Sequence, residues 1–152
     1  MTISRDDMLT LDSQLCFALV AAARNVVSIY RPILEPLGLT HPQYLVMLAL
    51  WEESPRTLND LADALAMEPA TASPLVKRLE GMGLVARQRS STDERRLDIV
   101  VTPEGKALRA RALEVPPAVI EATGMSMDEL ASLRESLRPF AGKKPVSSAS
   151  GS

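Results

Sequence analysis

The stretch TLNDLADALAMEPATASPLVKRLEGMGLVARQRSSTDERRLDIVVT, residues 57–102, decides the fold. Thr57, with Asp60 three residues on, opens a short helix that runs through Leu58, Leu61, Ala62 and Leu65. A tight turn follows. A second helix begins near Glu68-Pro69, where proline suits a first turn, and ends at Gly81-Met82-Gly83. Its inward stripe is Ala72, Leu75, Val76, Leu79 and Met82, and its outward face carries Thr71, Ser73, Pro74, Lys77 and Arg78. Leu84 to Arg89 and Arg96 to Val101 both favour strands. The second sets Leu97, Ile99 and Val101 against Arg96, Asp98 and Val100, with Val100 alone breaking the alternation. Residues 90–94, all polar, form the tip that joins them.

On the N-terminal side, Thr40-His41-Pro42-Gln43 is a capping box with proline in its first turn. Tyr44 to Leu50 is apolar on nearly all sides, so this helix is expected to be central and buried. Before it, Leu11, Leu15, Leu19, Ala22, Val26, Ile29 and Ile33 fall three or four apart and predict a long helix over about 11–34. Asp12 or Thr10 is expected to cap its start, and Pro32, Pro36 and Gly38 to end it. On the C-terminal side, Thr102-Pro103-Glu104-Gly105 opens a further helix, which Pro116-Pro117 should interrupt or kink. Ser126-Met127-Asp128-Glu129 is a second capping box and starts a last helix to about Phe140. No internal repeat is present, and residues 142–152 read as a disordered tail. The expected architecture is mainly α with a small β-wing. A winged helix-turn-helix lobe over about 40–102 sits between helical arms of about 11–36 and 103–141, one subunit spanning 11–141.

The chain has 152 residues, 46% hydrophobic and 24% charged, which fits one folded unit. One cysteine excludes an intrachain disulfide framework and a cysteine-cluster zinc site. With one histidine, any Ser-His-Asp triad would have to use His41. No Gly-rich phosphate loop is present, since Gly81-Met82-Gly83 ends a helix, and no carboxylate pair stands out. The sequence therefore points to neither an enzyme nor a resident cofactor or metal. Aromatics make up 3% of the chain, too few for a platform that stacks single-stranded bases. No apolar run is expected to approach the ~20 residues of a membrane span. The first residues lack the charged and apolar regions of a signal peptide. The expected setting is cytoplasmic, with no membrane partner.

The net charge of −2 advertises no nucleic-acid binder, but its distribution is uneven. Residues 75–96 carry six basic against three acidic side chains, whereas residues 52–68 carry one against five. A helix exposing Thr71, Ser73, Lys77 and Arg78 can enter a major groove and meet bases and phosphates. Lys77 and Arg78, farther along it, suit phosphates. A hairpin tip with Arg95 and Arg96 can reach a minor groove, whose potential favours arginine. Asp93 or Glu94 is expected to pair with an arginine there and orient it. A winged helix that only contacts proteins has the same outline; the response of DNA binding to loss of Arg95 separates the two.

Two segments resemble the MarR family of bacterial transcriptional regulators. Asp93 to Thr102 is similar to that family's wing, an Asp-x-Arg followed by a strand and Thr, and Leu75 to Val85 is similar to its recognition-helix ending. The resemblance covers roughly residues 10–141. It implies a homodimer held by the terminal helices, whose two winged lobes read a near-palindromic double-stranded DNA operator, typically as a repressor. The apolar stripes of the terminal helices suit such an interface.

Asp12 to Leu19, Tyr30 to Leu34 and His41 to Leu45 further resemble the organic-hydroperoxide-sensing OhrR branch. That resemblance makes Cys16 the sensor and Tyr30 a hydrogen-bonding partner, with organic hydroperoxide as effector. A thiolate attacks peroxide, so such a cysteine needs access and neighbours that favour the anion. Cys16 and Tyr30 lie 14 residues apart on one expected helix, roughly 21 Å. If Tyr30 serves Cys16, it comes from the other subunit. The branch has tyrosines where this chain has Val20 and His41, and a small polar residue where it has Pro69. Val20 donates no hydrogen bond; His41 can, and a protonated His41 would also favour a thiolate by charge. Two alternatives stay open: His41 as a plain first-turn residue, and Cys16 as an inert core thiol in a regulator governed by a small aromatic or phenolic ligand.

Overall fold

The Thr40 hydroxyl accepts the Gln43 backbone N–H, and the Gln43 side chain accepts the Thr40 N–H, so the expected capping box is formed. It opens α2 (His41–Glu52), which buries Gln43, Tyr44, Val46, Met47, Ala49 and Leu50 and lies at the centre of the core as expected. This computed structural model describes residues 4–140, so the tail over 142–152 lies outside it. In chain order the other elements are α1 (Leu15–Leu34), β1 (Arg56–Thr57), α3 (Leu58–Ala64), α4 (Pro69–Gly81), β2 (Val85–Arg89), β3 (Leu97–Val101), α5 (Pro103–Ala112), α6 (Val115–Thr123) and α7 (Met127–Leu137). The protein is mainly helical with one small antiparallel sheet, ordered β1-β3-β2.

The two-residue strand β1 was not legible in the sequence, because a pair of residues shows no alternation. It pairs Arg56 with Ile99 and Thr57 with Asp98, so β3 is the central strand. This also overturns the expected alternation of β3: Asp98 is buried and Leu97 is 48% exposed. Thr57 then caps α3 by accepting the Asp60 N–H. The turn into α4 is tight, with Ala66 left-handed at φ 55°. After α4, Gly83 takes a φ of 78°, and β2 begins. Met82, placed in the inward stripe by its spacing, is 44% exposed, since the helix has ended and the stripe no longer applies.

The last helices pack on this lobe through α5. The Thr102 hydroxyl accepts the Gly105 N–H and donates to the Gly83 carbonyl, and the Trp51 indole N–H donates to the Gly105 carbonyl at 2.9 Å. The expected break at Pro116-Pro117 occurs just before them. The chain turns at residues 113–114, and the two prolines occupy the first turn of α6, where no N–H is needed. The Ser126 box is formed, and α7 ends at Leu137 rather than near Phe140.

At the other end, α1 starts at Leu15, not near residue 11. Residues 11–13 form a 3-10 turn, and neither Asp12 nor Thr10 caps the helix, whose N-cap is Gln14. Pro32 does not end it. A proline in the last turn removes one backbone bond, and the helix continues to Leu34. Gly38 completes the break with φ 72°. Only Leu34 of α1 is buried, while Leu15, Phe17, Val20 and Val26 are exposed. The expectation that no apolar run approaches a membrane span is corrected as well. Leu15–Leu37 is helical over 23 residues, and its most apolar 18-residue window has a mean hydropathy of 1.3. Arg24 and Arg31 fall inside that window, and Glu35 follows it. The same length and composition serve a helix that packs against another chain.

Candidate nucleic-acid interface and thiol region

Thr71, Pro74, Lys77 and Arg78 line the exposed face of α4. Ser73 departs from that face. It is half-buried and lines a small cavity of about 60 Å³ between the helix and the sheet, together with Leu58, Arg87, Leu97 and Ile99.

The basic stretch divides into spent and free charges. Arg87 forks onto Glu80, with Nη2 to Oε1 at 2.9 Å and Nε to Oε2 at 3.2 Å. Its hydrogen bond and charge hold the Glu80 carboxyl below the usual carboxylate range. Arg89 donates to the Glu94 carbonyl at 2.8 Å and ties the two sides of the tip together. Arg96 Nε donates to Asp98 Oδ1 at 3.2 Å, and its Nη2 lies 3.6 Å from Asp60 Oδ2 on α3. Lys77, Arg78 and Arg95 make no side-chain hydrogen bond or ion pair among the described residues. All three are exposed, two on α4 and one on the hairpin tip.

The tip is shaped by Asp93, though not by pairing with a guanidinium. Asp93 Oδ1 accepts the backbone N–H of Arg95 at 3.0 Å, and the Asp93 carbonyl accepts the N–H of Arg96. The carboxylate is turned into the loop, leaving the Arg95 side chain free to point outward.

Cys16 stands exposed in the first turn of α1. It is not packed in the chain's own core. Tyr30 lies at the far end of the same helix, so one chain does not bring the two together. Tyr30 instead meets His41 edge-on, with ring centroids 5.1 Å apart, and Tyr44 at 6.0 Å. Tyr44 was missed in the sequence. Its place three residues after His41 on α2, on the side facing α1, was the available signal. Burial pushes the Tyr44 hydroxyl above its ordinary range, with Tyr30 adding to the shift. Burial lowers His41 below 6.5, so at neutral pH it is an uncharged donor or acceptor. That direction works against the charge effect of a protonated His41 and leaves its hydrogen bonding. A groove of about 530 Å³ opens beside it, lined by Val27, Arg31, Glu35, Thr40, His41 and Pro42.

The His41 shift has a sign that can be checked. The unfolded chain binds a proton near 6.5 and the folded chain only at lower pH. The contribution of His41 to stability is thus present above that value and is lost as pH falls below it. Urea unfolding between pH 7.5 and 5.5 should show the wild type losing stability faster than His41→Gln. Parallel curves would mean that the imidazole is not held neutral.

Comparison with known proteins follows the same outline. The family model described as MarR family matches residues 39–97, the lobe from α2 through the wing. The chain is 41% identical over 155 residues to the HTH-type transcriptional regulator TtmR of Methylorubrum extorquens, covering 97% of this chain and 80% of that one. It is 36% identical over 131 residues to the organic hydroperoxide resistance transcriptional regulator of Bacillus subtilis, covering 86% and 89%. Among solved structures, AbfR of Staphylococcus epidermidis superposes with a TM-score of 0.72 at 34% identity, covering 90% of this chain and 94% of that one. This chain belongs to the MarR family of transcriptional regulators.

Proposed function

We propose that this protein is a homodimeric DNA-binding repressor, released from its operator when an organic hydroperoxide oxidises Cys16. The observation that carries the reading is the placement of the chain's one thiol, exposed, on a helix whose apolar residues Leu15, Phe17, Val20 and Val26 the described residues leave uncovered. α7 buries no residue and exposes Met127 and Leu133, so both ends of the chain offer apolar surface to a second copy. Fourteen residues turn a helix through almost four whole turns, which puts Cys16 and Tyr30 on nearly the same face. In a two-fold dimer with the α1 helices crossing in opposite senses, each Cys16 meets the partner's Tyr30 and His41. Both supply hydrogen bonds to sulfur. Val20, one turn after Cys16, supplies apolar wall instead.

The chemistry is stoichiometric. The sulfur attacks the terminal oxygen of the hydroperoxide, an S–O bond forms and the O–O bond breaks. Its electrons leave with the alkoxide, which takes a proton and departs as the alcohol. Cys16 is left as a sulfenic acid, which a small thiol or another chain can convert to a disulfide. DNA is met by Thr71, Lys77 and Arg78 on α4 and by Arg95 at the wing tip. Asp93 and Arg96 shape that tip, and Ser73 supports α4 from behind. The two ends are coupled because oxidised and DNA-bound dimers prefer different shapes. The work is done in the cytoplasm, where the DNA is.

The reaction itself is the test. One equivalent of cumene hydroperoxide followed by dimedone should label the wild type at Cys16 and leave Cys16→Ser unlabelled in intact-mass spectra. An unlabelled, unoxidised wild type overturns the sensor. The groove beside His41, with Arg31 at its edge, then favours the second reading, a regulator governed by a small aromatic or phenolic ligand.

A further inference from the structure

We infer that Arg96 is a positioning residue, which fixes the wing to the helix-turn-helix and sets the direction of Arg95 without itself contacting DNA. The inference rests on the DNA-binding reading above and refines the wing within it. Arg96 is the hinge point of the hairpin. Its carbonyl accepts the Ser90 N–H at 2.9 Å and its own N–H donates to the Asp93 carbonyl at 3.0 Å. Both main-chain groups therefore close the tip, and β3 begins at the next residue. The side chain runs the other way. Nε donates to Asp98, whose side chain is only 10% exposed on the central strand, and Nη2 reaches Asp60 in the first turn of α3. One guanidinium thus spans two elements and two carboxylates.

Charge explains why it stays there. Asp98 is buried beside β1, only 7% exposed, and Arg96 is its one side-chain partner among the described residues. A buried carboxylate that loses its cation is costly, so Arg96, itself 49% exposed, is held to Asp98 more firmly than an unpaired surface arginine. Asp60 adds a second negative group on a helix that does not belong to the sheet. The backbone pairing of Thr57 with Asp98 joins α3 and β3 at the same place, so the ion pair reinforces an existing seam. A rotation of the tip relative to α3 would have to break it. Arg95, the neighbouring residue, has no such tie, and its direction is inherited from Arg96.

The assignment makes an unusual forecast. Removing a negative charge near a DNA interface ordinarily strengthens binding. Asp60→Asn should instead weaken it, because the tip loses its anchor. The probe is a fluorescein-labelled duplex selected from a random library by the wild-type protein. Asp60→Asn and Arg96→Gln should each bind it roughly fivefold more weakly. Arg96→Lys should be as weak as Arg96→Gln, because a point charge does not fork onto two carboxylates. On an Arg95→Ala background, Arg96→Gln should add little. Trypsin should cut after Arg95 several-fold faster in Asp60→Asn than in wild type, with the thermal midpoint of unfolding unchanged, which reads the tip without any DNA.

Wild-type affinity in Arg96→Lys, or tighter binding in Asp60→Asn, overturns the assignment and makes Arg96 a phosphate contact. Unchanged tip cleavage overturns it too. If the wild type selects no duplex, DNA binding fails as a reading, and faster tip cleavage alone still supports the anchor.

Discussion

Arg95→Ala should weaken binding to a selected duplex by roughly thirtyfold, and should make the logarithmic salt dependence shallower by about 2. The reasoning starts from the division of charge in the winged lobe. Arg87 and Arg96 are engaged by Glu80, Asp60 and Asp98, and Arg89 holds the Glu94 carbonyl. That leaves Arg95 as the free cation on the hairpin tip among the described residues. Each arginine withdrawn from the DNA's field removes about 0.9 from the salt slope and about 1 kcal/mol from binding. The proposed dimer loses two at once, hence the size. Arg87→Ala offers the contrast. It frees Glu80, leaves the contact set intact, and should change the slope little. Anisotropy titrations from 50 to 200 mM salt measure both. Equal slopes for wild type and Arg95→Ala would assign the wing to another partner.

Gly105→Ala should lower the thermal midpoint by about 10 °C. A Cβ at Gly105 would overlap the Leu84 carbonyl and press against Val101 Cγ1. Neither contact is the free end of a flexible chain. Leu84 is main chain, and its carbonyl already accepts the Thr102 N–H at 3.1 Å. α5 must back away, which strains the Trp51 bond to the Gly105 carbonyl and the cap at Thr102. Overpacking of this kind costs about 3 kcal/mol, a large share of the stability of a small domain. Gly81→Ala is the control: nothing stands within 4 Å of a Cβ there, and the residue is helical. It should leave the midpoint unchanged or raise it slightly. If the two variants melt together, the close approach of α5 to the β2 start is not rigid.

Most of the fold was legible because its signals are local. Thr40, Thr57, Thr102 and Ser126 each cap the helix expected after them, and the hairpin strands lie within one residue of their expected bounds. What escaped depends on distant partners. β1 exists only because Ile99 and Asp98 lie beside it. The burial of Asp98 follows from that pairing and from Arg96, neither of which alternation encodes. Leu11 fits the apolar stripe of α1 yet lies outside the helix, because periodicity does not say where a helix begins. For the candidate site, residue types were readable and their employment was not. Six cations in one stretch look alike in sequence, and only their partners show which are free. The resemblance set His41 at a position where the branch has a tyrosine; its contact with Tyr30 was not legible. Its lowered pKa comes from partial burial where it meets Tyr30, which a single sequence does not report.

The measurement that bears most directly on the sensor is fluorescence anisotropy on labelled DNA from upstream of the protein's own gene. Wild type and Cys16→Ser are titrated at one salt concentration, with and without cumene hydroperoxide, and dithiothreitol is added last. Peroxide should release the wild type, dithiothreitol should restore its binding, and Cys16→Ser should stay bound throughout. Equal behaviour of the two proteins under peroxide, whether both release or neither does, contradicts the assignment of Cys16 as the switch.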